Sequence, residues 1–171
     1  MPRKRENRRT VCPECGERAT VKRGDYKFAE SGLKNVILSG IEVIECATCG
    51  AIPVIPAINQ ITRAIALAVA LKPARLTGEE VRFLRKFIAK SQAELSRLMR
   101  VSKTTISKWE NNEDPVGEQS DRLIRVIAVA LGGLKNELPG VVAKFPAIDQ
   151  RAKPGPMRVD VEAGRAEYAA A

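Results

Sequence analysis

The residues best able to do chemistry are four cysteines in two matching knuckles, Cys12-Pro13-Glu14-Cys15-Gly16 and Cys46-Ala47-Thr48-Cys49-Gly50. A two-residue gap lets a tight turn aim both thiolates at one ion, and two such corners complete a tetrahedral sulfur site. Gly16 and Gly50 supply the backbone freedom needed to turn away from each corner. The pattern predicts one structural Zn2+ per chain on Cys12, Cys15, Cys46 and Cys49, because four thiolates fill the shell and leave no position for a reactive water. Spacing alone also admits an iron-sulfur centre or a transient redox pair, and a secreted chain would oxidise the same thiols to two disulfides. No apolar signal core follows Met1-Pro2-Arg3-Lys4-Arg5, which favours the metal and a cytoplasmic setting.

The knuckles need strands to carry them. Residues 22–28 and 37–46 are rich in aromatic and β-branched types separated by glycines, and Val43-Ile44 runs directly into the second knuckle. A short antiparallel sheet delivers ligands in this way. Residues 1–52 are therefore expected to form a small zinc-ribbon-like β domain, with Tyr26 and Phe28 as packing residues. A segment so short builds little core by itself, and the metal supplements it.

Charge narrows the partner. Twenty-nine Lys or Arg stand against 20 Asp or Glu, a net charge of +9, which suits nucleic acid, although acidic proteins and anionic membranes attract the same surface. Arg3, Lys4, Arg5, Arg8 and Arg9 read either as phosphate contacts or as a solvated arm. The longest apolar stretch, Ala64 to Leu71, falls well short of a membrane span. With no histidine in the chain, no second acid beside Glu110 and a saturated metal, no active site is assembled and an enzyme is not expected.

Beyond residue 52 the apolar period changes from two to about 3.6. Pro53 and Pro56 suit an extended exit. Gln60 to Lys72 then reads as a helix stopped by Pro73, inside a linker spanning 53–75. Thr77 with Glu80, and Ser91 with Glu94, have capping-box spacing, and Ser102 caps a further helix. Ile106 and Trp109 turn inward on that last helix and leave Lys103, Thr104, Thr105, Ser107 and Lys108 outward or flanking. From Arg97 to Lys108 there is no acidic residue. Asn111 to Pro115 is a turn, and Asp121 to Leu131 sustains another helix ending at Gly132-Gly133. Four helices are expected, five with the connector. Glu110 is expected to restrain helix ends through a basic partner. The connector and the 123–131 helix are both candidate dimer surfaces. Residues 134–171, interrupted by prolines and glycines, are expected to be a flexible tail.

The runs Ser91-Gln92-Ala93-Glu94-Leu95-Ser96 and Val101-Ser102-Lys103-Thr104-Thr105-Ile106-Ser107-Lys108-Trp109-Glu110 resemble the Cro/repressor-type helix-turn-helix family across residues 76–133. Together with the upstream cysteines, the chain resembles antitoxins of bacterial type II toxin-antitoxin systems over roughly residues 11–131. The resemblance implies an α+β chain, a zinc-ribbon-like β-rich domain followed by an all-α helix-turn-helix domain. It further implies a homodimeric repressor of a palindromic operator whose zinc domain binds a cognate toxin. Gln92 would contact phosphate, Lys103, Thr104 and Lys108 would face bases, and Thr105 and Ser107 would flank them. Lysine donates to guanine O6 or N7 and threonine meets a base or its methyl. Ser96 and Arg100 stand where the family favours alanine and glycine. The competing class is a zinc-stabilised protein-interaction or assembly module in which the helical pattern is only a scaffold.

Overall fold

Alternating apolar and polar residues fold the first third of the chain into consecutive hairpins. The computed structural model describes residues 8–149, 152 and 155–169, so Arg3, Lys4 and Arg5 lie outside it. Strands β1 (Arg8–Val11), β2 (Arg18–Lys27), β3 (Val36–Cys46) and β4 (Gly50–Val54) pair antiparallel in sequence order. The β2–β3 register slips between Gly24 and Tyr26, as at a β-bulge.

The expected flexible tail is corrected here. Within residues 134–171, α6 (Leu138–Ala143) is followed by a hairpin of β5 (Met157–Asp160) and β6 (Arg165–Tyr168). Strand β5 lies parallel to β3, with Val36 opposite Met157 and Ser39 opposite Asp160. Strand β4 pairs β3 only from Glu42 to Cys46, so β5 takes the backbone groups that β4 leaves. Met157 and Val159 are fully buried. Prolines and glycines marked the loops around this hairpin, and four-residue strands were too short to show a period against them.

The helices are α1 (Ile58–Leu71), α2 (Gly78–Phe87), α3 (Gln92–Met99), α4 (Lys103–Glu110) and α5 (Glu118–Leu131). Thr77 and Ser91 each accept from the backbone N–H three residues on, while Glu80 and Glu94 complete both capping boxes. Ser102 accepts from the Thr105 N–H at 2.9 Å. The main apolar core joins Val36, Leu38 and Ile41 of the sheet to Ile61, Ile65 and Val69 of α1 and to Leu84, Leu95, Ile106 and Ile124 of the helices beyond, while Cys12, Ala19 and Cys46 form a small cluster of their own at the cysteine end. The segment read as a linker therefore supplies a central helix to that core. Its burial also consumes the α1 face offered as a dimer surface.

Two buried polar networks lock the helices to one another and to the hairpin. Arg125, wholly buried, donates to Asp121 and to the carbonyls of Ala70, Lys72 and Ala74 at 2.7, 2.9, 2.8 and 2.6 Å. It thereby satisfies carbonyls at the end of α1 and in the segment that follows it. Asp121 also accepts from the Leu76 N–H at 2.6 Å. In the second network Glu80 accepts from Lys72 and, at 2.7 Å, from the Tyr168 hydroxyl of β6. Burial, followed by the neighbouring Glu80 charge, raises the Tyr168 pKa, so the hydroxyl stays a donor.

Candidate nucleic-acid interface and metal centre

The cysteines meet because two hairpin turns open at the same end of the sheet. Ala19 pairs with Cys46 across β2 and β3, and Cys46 pairs with Gly50 across β3 and β4, which places the first knuckle beside the second. Gly16 and Gly50 take φ of +76° and +81°, the left-handed turn each knuckle requires. The four Sγ atoms lie within 4.8 Å of one another, and Cys15 and Cys46 stand 3.6 Å apart. Four sulfurs at zinc-thiolate bond length form a tetrahedron with edges of about 3.8 Å. The donor set thus fits a closed, four-coordinate ion, and all four thiols are free to bind one. Backbone N–H groups of Cys49 and Thr48 hold the Cys46 thiol down at about 7. The Cys15 thiol beside it pushes Cys49 up to about 12.

The second candidate site is built on α3 and α4. Leu95, Met99, Ile106 and Trp109 are buried and fix the angle between the two helices. Ser96 is also buried and donates its hydroxyl to the Ala93 carbonyl at 3.0 Å, so a small polar residue fits the crossing without an orphaned group. Arg100 closes α3 with φ +58° and ψ +39°, the left-handed conformation a glycine would adopt with less strain.

The predicted contact residues fall into four situations. Lys103 and Thr104 are exposed on the first turn of α4, and among the described residues their side chains have no polar partner. Ser107 and Lys108 lie one turn on, continuing the same two rows, with Lys108 paired to Asp114 at 3.3 Å. Thr105 turns toward the cap, its hydroxyl 2.8 Å from that of Ser102. Gln92 is engaged differently, since its amide donates to Glu110 at 2.9 Å and leaves one amide hydrogen for another acceptor. The structure thus brings Lys103, Thr104, Ser107 and Lys108 onto one face and ties Gln92 to the packing beneath it.

Glu110 is the hub of that packing. Buried at the end of α4, it accepts two hydrogen bonds from Arg85 of α2 and one from Gln92 of α3. Burial alone would raise its pKa. The Arg85 and Gln92 donations and the charges of Arg85 and Arg82 outweigh burial and hold its carboxyl below the ordinary value. This is the expected basic partner, now identified as Arg85. The sequence reading missed Arg125 and Asp121. Their signal was present, because they share the helical face of the apolar residues Ile124 and Ala128.

Comparison with known proteins agrees with the helical half of this geometry. No curated protein and no solved structure matches the chain. A Helix-turn-helix family model matches residues 84–134, from the middle of α2 to the turn after α5. That segment is a helix-turn-helix domain of the Cro/C1 type, the DNA-binding element of a transcription regulator, and it follows a β-rich region bearing a four-cysteine cluster.

Proposed function

We propose that the protein is a sequence-specific repressor that binds a palindromic operator as a homodimer, with α4 entering the major groove of each half-site. The observation carrying this reading is the uncommitted pair Lys103 and Thr104 at the start of α4, in a stretch from Arg97 to Lys108 without one acidic residue. Lysine and threonine at the N-terminal end of such a helix are the groups that reach base edges. Gln92 supports the backbone contact, Thr105 and Ser107 flank the face, and Lys108 exchanges Asp114 for a base. Dimerisation would use the exposed Leu123 and Leu131 of α5, since α1 is consumed by the core.

Cys12, Cys15, Cys46 and Cys49 would hold one Zn2+ whose chemistry is to cross-link two hairpins; a closed thiolate shell does not activate water. Within the repressor class the reading extends to an antitoxin, with the zinc-bearing domain capturing a cognate toxin protein. The protein performs no catalysis in this scheme.

The test is footprinting of the zinc-loaded protein on its own upstream DNA beside a scrambled duplex. A protected inverted repeat, lost in Thr104→Ala/Lys108→Ala without unfolding, supports operator recognition. Equal protection of both duplexes, or an unchanged footprint in the double variant, rules against it. An adjacent gene for a small ribonuclease-like protein that co-purifies with this chain would support the antitoxin role; an operator-binding protein with no stable partner would remain a repressor alone.

A further inference from the structure

We infer that the sheet face beside the cysteine corner, built on Arg9 and Arg18, is a second nucleic-acid contact that grips the phosphate backbone of duplex DNA without reading its sequence. The inference extends the operator-binding reading and rests on it for the identity of the polyanion.

Arg9 lies opposite Thr20, and Thr20 lies opposite Glu45, so these three form one row across β1, β2 and β3. Arg18 faces Val11 in a neighbouring row of the same face. Together they border an open groove of about 800 Å³ lined by Arg9, Thr10, Arg18, Thr20, Glu45 and Ala47 among others. Nearby cations already have partners: Arg8 pairs with Glu42 at 3.9 Å, Lys22 with Glu45 and Arg23 with Glu162. Among the described residues, Arg9 and Arg18 have no acidic partner. Lys22 also occupies the one carboxylate in the groove, leaving two guanidinium forks and the Thr20 hydroxyl on the same face.

That chemistry suits phosphate. Guanidinium binds it bidentately and hydroxyls add neutral donors. A protein partner generally needs aromatic or large apolar anchors at the centre of the contact; the groove lining has none, and the exposed Val11 beside it, opposite Arg18, is a single aliphatic side chain. The sequence strengthens the field, because residues 1–27 carry nine Lys or Arg against four Asp or Glu, with Arg3, Lys4 and Arg5 just ahead of β1. A dianionic four-thiolate zinc centre offers another use for two nearby cations, and the experiment must separate the two roles.

The experiment uses the full zinc-loaded chain and its Arg9→Gln/Arg18→Gln variant, titrated by fluorescence anisotropy against upstream and scrambled duplexes at several salt concentrations. Two lost phosphate contacts should make the slope of log K against log salt less negative by about 1.8. The affinity loss should be equal on both duplexes, with metal content and melting temperature unchanged. Arg9→Lys/Arg18→Lys should retain the wild-type slope, since phosphate neutralisation needs charge rather than a fork. An unchanged slope in the folded, metal-loaded glutamine variant overturns the inference, as does a loss that tracks zinc release or is confined to the upstream sequence. Should the wild-type protein show no preference for its upstream DNA, the operator reading fails, while the slope difference on scrambled duplex still decides this contact.

Discussion

Replacing Arg125 with methionine should destabilise the protein more than any surface change. The guanidinium is completely buried against an equally buried Asp121, and three of its other hydrogen bonds, at 2.6–2.9 Å, satisfy the carbonyls of Ala70, Lys72 and Ala74. Methionine fills much of the volume but removes every donor. The Asp121 carboxylate then keeps only the Leu76 N–H, and the carbonyls at the end of α1 and in the segment that follows it lose this donor. Breaking a buried pair from one side costs about 3–5 kcal/mol. At roughly 2–4 °C per kcal/mol for a chain of this size, the melting temperature should fall by about 6–20 °C. Urea unfolding at fixed zinc should show a matching drop in midpoint with little change in slope. Lys108→Ala provides the contrast: its Asp114 pair is half exposed and should contribute well under about 1 kcal/mol. Adding Asp121→Leu to Arg125→Met should recover part of the loss, because the stranded charge goes with it. A single-variant loss below about 1 kcal/mol, or a double variant worse than the single, would refute the assignment of this pair as a buried latch.

Three further outcomes follow from named contacts. Arg100→Gly should raise stability by about 1 kcal/mol in chemical unfolding, because it removes a side chain from left-handed backbone, while weakening DNA through the lost charge. A fall in stability would mean that the arginine makes a contact worth more than its strain. Tyr168→Phe should cost about 1–3 kcal/mol by leaving one oxygen of the buried Glu80 without its donor; hydrogen exchange should show the hairpin of β5 and β6 opening first, and unchanged protection there would contradict the role given to this hydroxyl. Glu94 is held down at about 2 by the Ser91 backbone N–H and hydroxyl. Its folded pKa lies below the unfolded value near 4.5, so its contribution is full above about pH 4.5 and disappears as pH falls through 2. An NMR titration should locate its midpoint, and Glu94→Gln should flatten the stability profile in that window.

Much of the helix-turn-helix was legible because each of its decisions is local. Thr77, Ser91 and Ser102 announce helix starts within three residues of themselves, and the spacing of Ile106 and Trp109 states which face is buried. The knuckles were legible for the same reason. The hairpin of β5 and β6 was not, because its stability comes from the unfilled edge of β3, more than a hundred residues away, and from the Tyr168 contact with Glu80. Gln92 shows the same boundary within the candidate site. Its place at the start of α3 is local information, but its engagement by Glu110 depends on how α3 and α4 cross.

These long-range contacts also bear on how the two halves act together. Met157 and Val159 lie in the same core as Leu38 of the sheet and Ile65 of α1, and Tyr168 carries the hairpin's end to Glu80 on α2. Helix α2 in turn holds α4 through Arg85 and Glu110. A continuous packed route therefore runs from the strand that carries Cys46 to the helix that presents Lys103 and Thr104. Contiguity by itself is not coupling, which requires an element with two arrangements that both sites bias. The hairpin is the element that joins them: β5 occupies only the half of the β3 edge left by β4, although its release would expose the fully buried Met157 and Val159. A partner that pulled on β3 would then act on α4 through the loss of Tyr168 from Glu80, whereas a rigidly docked hairpin would leave the two binding surfaces energetically independent.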